Sequence, residues 1–165
     1  MTDPDDGDAP DSTLVDPGDE PEAPAQRRTP VAEVLSAIAV GGVLGAEARY
    51  GLGVAIPHAA GQWPWATFRT NTSGCLLIGV LMVVILELST PHPLVRPLLG
   101  VGVLGGYTTF STYSVDTLDL LQHGRTALAL AYFVGTPMVA LAAVASGVAL
   151  TRAVGRALHR RRAQP

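Results

Sequence analysis

Four apolar blocks occupy most of this chain, at residues 31–52, 66–88, 94–121 and 126–150. Each is near the roughly 20 residues that a helix needs to cross the hydrocarbon core of a bilayer. Four membrane helices are the simplest account. A helical bundle buried in water would show a polar stripe of period 3.6, and the blocks show none. The connections GVAIPHAAGQWPW, STPHP and QHGR carry turn chemistry, and Trp63 and Trp65 sit where an aromatic belt would place them. Small residues punctuate the blocks, among them Gly41, Gly42, Gly45, Gly74, Gly79, Gly102 and Gly106. In lipid such residues let helix backbones approach closely, so tight packing and dimerisation are expected.

The ends differ in kind. Residues 1–30 hold nine of the fourteen acidic residues, are rich in proline and carry few large apolar side chains. Such a segment cannot bury enough surface to offset its ordering entropy, so a disordered acidic tail is expected, with no signal peptide pattern in it. It reads as a solvated extension, with a partner-binding arm as the sharper alternative. Residues 151–165 read as an arginine-rich tail, leaving 31–150 as the membrane domain. Residues 31–165 hold five acids against nine arginines, and the chain has no lysine. A lone cysteine, Cys75, rules out a disulfide within the chain, and the histidines lack metal-ligand spacing.

With four spans both termini share a side. That side collects Arg27, Arg28, Arg96, Arg152, Arg156, Arg160, Arg161 and Arg162, against Arg49, Arg69 and Arg125 opposite. Positive charge favours the cytoplasm, so both termini are expected there, in a multi-pass protein of the plasma membrane.

Polar groups at membrane depth are expensive and point to function. Glu33 and Glu87 lie near span ends, where interfacial solvation is the plain reading. Arg49, with Glu47 in GGVLGAEARYG, is either a structural anchor or a cation that draws anions toward an entrance. Asn71 can donate two hydrogen bonds, which suits a dehydrating anion, or can make an inter-helix bond worth about 0.6 kcal/mol. The third block holds GGYTTFSTYS, where Gly105 and Gly106 weaken the helix and Thr108, Thr109, Ser111, Thr112 and Ser114 bring hydroxyls. Backbone that leaves a helix at this depth is tolerated where it is buried in protein or lines a cavity, so a broken third helix is expected. The plain alternative is a kinked helix whose hydroxyls bond back to their own turn. Phe110 and Tyr113 stand three apart, on one helix face, with ring edges that could meet an anion or simply pack.

The segments GGVLGAEARY, NTSGCLLIG and GVLGGYTTFSTYSVD resemble, in order, the three signature segments of the Fluc/CrcB family of small fluoride channels, over roughly residues 31–150. The resemblance implies an all-α membrane protein of four transmembrane helices, dimeric with antiparallel subunits. Two fluoride pores would lie at the dimer interface, with a central structural sodium ion. It places Asn71, Phe110 and Tyr113 at the fluoride pore, adds Ser111, Thr112, Ser114 and Tyr132 to its polar track, and gives the sodium to the backbone carbonyls of Gly105 and Thr108. Arg49 matches the family's arginine after the first-span glycines. Tyr113 is a departure, since the family commonly has a second Phe there. The arginine bias of eight to three is another, because a chain that inserts both ways needs a weak bias. This chain is therefore expected to pair with a related chain of opposite bias, rather than only with itself.

The function this implies is passive export of fluoride across the plasma membrane, with no enzyme chemistry. The partners are fluoride, lipid and a second channel subunit; no nucleic acid is expected. No Gly-rich phosphate loop occurs in the sequence. A proton-coupled exporter of small molecules or cations, built as a four-helix dimer, is the competing reading. It would need a buried carboxylate at its binding site. A membrane scaffold without transport, for which only the packing glycines speak, is the third.

Overall fold

The computed structural model describes residues 30–89 and 91–162, the side chains of 159–162 excepted. The expected acidic tail lies outside the described residues, apart from Pro30. The described residues are helical with connecting turns, and none of them is a strand. Among the described residues, three helices are long and apolar enough to cross a membrane: Val31–Ala55, Trp65–Leu88 and Thr126–Leu158, with mean hydropathies of 1.6, 2.0 and 2.0. Helix α1 is Val31–Ala55. Helix α2, Trp65–Val83, continues into a wider π-type segment, Val84–Leu88. Ser89 then turns extended, and Pro91 and Pro93 keep the chain from resuming a helix at once.

The third apolar block is built differently. Pro97 opens a π-type segment, Arg96–Val103, which runs into the short helix α3, Leu104–Tyr107. Residues 108–110 leave the helix, and α4 follows as Ser111–Gln122. Helix α5 is Thr126–Arg162, with Pro137 inside it. It runs on past residue 150, where the apolar block ends, because Ala, Leu and Arg between 152 and 162 are all good helix formers. The expected arginine tail is therefore helical as far as Arg162.

Glycines set how the helices meet. A Cβ on Gly102 would lie 2.8 Å from the Cα of Gly41, and one on Gly45 would strike the carbonyl oxygen of Val103. One on Gly106 would strike the carbonyl of Gly42. Helix α1 thus lies backbone to backbone on the segment that leads into the break. Helices α2 and α5 cross in the same way, Gly79 against the Val144 carbonyl and Gly147 against that of Leu76. Apolar side chains such as Leu44, Leu118 and Leu141 cover the outside, which suits lipid rather than water.

A small core of Tyr113, Leu120, Ala129 and Tyr132 sits between α4 and α5, flanked by Trp63 and Phe68. At that end the two connections meet. The Gly61 N–H donates to the Asp119 carboxylate at 2.9 Å. Gly61 and Gly124 both hold positive φ, 71° and 69°, which L side chains rarely adopt. At the other end Arg152 grips Glu87 through Nε and Nη2, at 2.9 and 2.5 Å to Oε1. Glu87 therefore does more than solvate at the interface: its carboxylate ties the end of α2 to α5.

Candidate functional site

The break is held by donors taken from their helical partners. Helix α3 ends with the Thr108 N–H and Oγ1 both donating to the Leu104 carbonyl, at 3.0 and 2.9 Å. Thr108 itself is extended, φ −76° and ψ 155°. In a continuing helix the next N–H, that of Thr109, would bond the Gly105 carbonyl. Here it donates to Asn71 Oδ1 at 2.8 Å, while Asn71 Nδ2 donates to the Thr109 carbonyl, also at 2.8 Å. The two bonds clamp one residue and fix which end of the amide is nitrogen, since only oxygen accepts from the Thr109 N–H. One Nδ2 hydrogen remains outside this pair.

Thr109 repeats the device on the other side of the break. Its Oγ1 accepts from the Thr112 N–H at 3.2 Å, the group that would otherwise reach the Thr108 carbonyl. The carbonyls of Gly105 and Thr108 have thus both lost their helical donors to side chains. These are the two that the family resemblance assigns to sodium, and the loss of both donors is what a carbonyl-ligated cation would require. Among the described residues no cluster of His, Cys, Asp and Glu offers another metal site.

A cavity of about 730 Å³ opens beside the break. Asn71, Gly105, Thr108, Phe110 and Tyr113 all line it, so the fold brings five of the expected site residues together. Phe110 is 78% exposed on its rim, whereas Tyr113 is 6% exposed, and their rings lie 5.7 Å apart. The expectation of a shared aromatic face holds as a contact between unequal partners. Tyr113 turns its hydroxyl away from Phe110, donating to the Phe133 carbonyl at 2.5 Å.

The remaining expected residues fall elsewhere. Thr112 lines a second cavity of about 350 Å³ with Arg49, Thr67, Thr70 and Thr109. The Arg49 Nε donates to the Gly106 carbonyl at 3.2 Å, so this residue both anchors the last turn of α3 and borders a cavity. Ser111 is exposed beside Thr109, and the Ser114 hydroxyl bonds back to the Phe110 carbonyl at 2.9 Å. Ser114 thus behaves as the kinked-helix alternative describes. Tyr132 is fully buried, with its ring 5.3 Å from Tyr113 and 5.2 Å from Trp63.

Two further groups escape a reading of the sequence alone. Asp116 accepts from the Tyr132 hydroxyl at 3.4 Å. Its signal is present in the spacing of Tyr113, Asp116 and Leu120, which puts the three on one face of α4. Thr136 is 3% exposed on the wall of the larger cavity, and its hydroxyl has no hydrogen-bond partner among the described residues. It stands one turn beyond Tyr132, a spacing that a search for polar residues on the last helix would find.

Long apolar helices around an unwound, uncharged polar break are the architecture of a small helical membrane protein. More narrowly, the chain belongs to the CrcB family: the family model described as CrcB-like protein, Camphor Resistance (CrcB), matches residues 36–148. It is 52% identical over 113 residues to Fluoride-specific ion channel FluC 1 of Streptomyces coelicolor, covering 68% of this chain and 73% of that one. It is 48% identical over 119 residues to Fluoride-specific ion channel FluC 2 of Nocardia farcinica, covering 72% and 85%. A relative from Rhizobium meliloti, Fluoride-specific ion channel FluC, is 42% identical over 118 residues, covering 71% and 94%. The resemblance drawn from the three motifs is borne out.

Proposed function

We propose that this chain is a fluoride-selective channel subunit that lets fluoride leave the cell passively. Its relatives' names supply the ion, and one structural observation carries the mechanism: the residues lining the larger cavity include amide, hydroxyl and aromatic groups but no carboxylate and no cation. A small anion surrenders tight hydration only to several donors, and it leaves again only if none of them holds it strongly. The second Nδ2 hydrogen of Asn71, the Thr136 hydroxyl and the ring edge of Phe110 are donors of that strength. An inside-negative potential drives an anion outward by about 2.3 kcal/mol per 100 mV, so export needs no coupled step.

The working unit is a dimer of antiparallel subunits, each with four spans and a third helix broken at residues 108–110. The rim position of Phe110, 78% exposed in the single chain, supports a partner on that side. The carbonyls of Gly105 and Thr108 would hold the sodium ion, which when bound supplies a fixed positive charge to offset their dipoles. The partner is a related chain of opposite charge bias. Streptomyces avermitilis has two relatives of this chain, named Fluoride-specific ion channel FluC 2 and FluC 3, so a single organism can hold more than one chain of the family.

The test is fluoride efflux from proteoliposomes, read with an ion-selective electrode, with this chain reconstituted alone and with a related chain from its own genome. Fluoride should move and chloride should stay. Equal rates for the two ions would refute the reading, and full flux from this chain alone would refute the obligatory partner.

The exporter alternative needs a carboxylate at the binding site, and Glu33, Glu47 and Glu87 are absent from the cavity lining. The combined E33Q, E47Q and E87Q variant is expected to keep fluoride efflux within about twofold of the parent, because no lining group changes. Loss of transport would revive the coupled mechanism.

A further inference from the structure

We propose that the Tyr113 hydroxyl replaces the backbone N–H that Pro137 removes from α5, and so keeps a bare carbonyl off the wall of the anion path. Proline has no N–H, and its missing bond in a helix is the one to the carbonyl four residues earlier. For Pro137 that carbonyl belongs to Phe133. It is the Phe133 carbonyl that accepts from Tyr113 Oη at 2.5 Å, across from α4 to α5. The Tyr113 and Phe133 rings are stacked beside it at 5.9 Å and 13°, so the hydroxyl is held in place by its own ring.

The location gives the bond a consequence for transport. Tyr113, Phe133 and Pro137 all line the larger cavity. A carbonyl oxygen without a donor there would present partial negative charge in a medium with little water, which repels an anion and attracts a cation. The bond also settles what Tyr113 offers to an ion. Its one proton is committed to Phe133, so toward the cavity it acts as an aromatic ring, as the family's usual Phe would. Tyr113 and Pro137 are a matched pair: the tyrosine is a positioning residue made necessary by the proline.

The transport arm of the test rests on the fluoride reading; the spectroscopic arm does not. Phe133–Val134 is the one Phe–Val pair in the sequence. Carbonyl-13C phenylalanine with 15N valine therefore selects the Phe133 carbonyl in solid-state NMR of the full chain in bilayers. Y113F should shift that resonance upfield by more than its linewidth, and Y113F/P137A should return it, because an alanine in place of Pro137 restores the helical N–H.

In liposomes Y113F should lower fluoride flux about tenfold, the scale of one buried hydrogen bond left unmade. In the P137A background the same change should cost less than about twofold. An unmoved Phe133 resonance in Y113F overturns the proposal, and so do equal flux losses in both backgrounds. If the parent chain moves no fluoride the function fails, and the NMR arm still decides the brace.

Discussion

Asn71→Asp is expected to bring fluoride flux down by about three orders of magnitude while the chain still elutes as a folded species. Three losses act together. The Nδ2 donor to the Thr109 carbonyl, now at 2.8 Å, is replaced by a carboxylate oxygen that repels it. The second Nδ2 hydrogen, the one the proposed path offers to an ion, disappears. A full negative charge is added on the cavity wall. Two unit charges about 4 Å apart repel by about 4 kcal/mol at an effective dielectric of about 20, which alone is worth roughly a thousandfold. The Asn71→Ala variant separates the terms: it removes the clamp and the donor but adds no charge, so its flux should lie between the parent and Asn71→Asp. Electrode-read efflux with circular dichroism on the same samples is the measurement. Parent-like flux from the folded Asn71→Asp protein would show that Asn71 borders no ion path.

Asn71 also shows what a sequence does and does not reveal of such a site. An amide inside an apolar block is costly enough to be noticed, and so is a run of glycines and hydroxyls in GGYTTFSTYS. The three uninterrupted spans were legible for the same reason, because hydropathy is a local property. The partner of Asn71 was not legible. That the amide takes the Thr109 N–H away from Gly105 depends on α2 lying beside the break, a contact across 38 positions.

The same holds for Glu87 with Arg152, Asp116 with Tyr132, and Gly61 with Asp119. Each residue is readable alone, and each pairing exists only once the helices are packed. Phe110 and Tyr113 make the point most sharply. Helical spacing gives them one face, yet the cross-helix bond to Phe133 buries the tyrosine and leaves the phenylalanine on the rim.

Gly45→Val should leave no folded channel to assay. Overpacking usually costs about 1–3 kcal/mol, because neighbouring side chains shift or change rotamer. At Gly45 the neighbours are the backbone carbonyl of Val103 and the backbone N–H of Tyr107, and neither can turn aside. Helix α1 would have to lift from the segment before the break. That movement would withdraw Arg49 from the Gly106 carbonyl, now 3.2 Å away, and with it the anchor of the last turn of α3. The break would then be held by the Asn71 clamp without the helix that backs it. Gly51→Ala is the matched control, since an added Cβ there meets nothing within 4 Å, and alanine favours a helix over glycine. Size-exclusion recovery in detergent, followed by flux, should show a normal peak for Gly51→Ala and an aggregated or missing one for Gly45→Val. A parent-like peak and parent-like flux from Gly45→Val would mean that α1 does not lie against this segment, and the frame assigned to the broken helix would have to be redrawn.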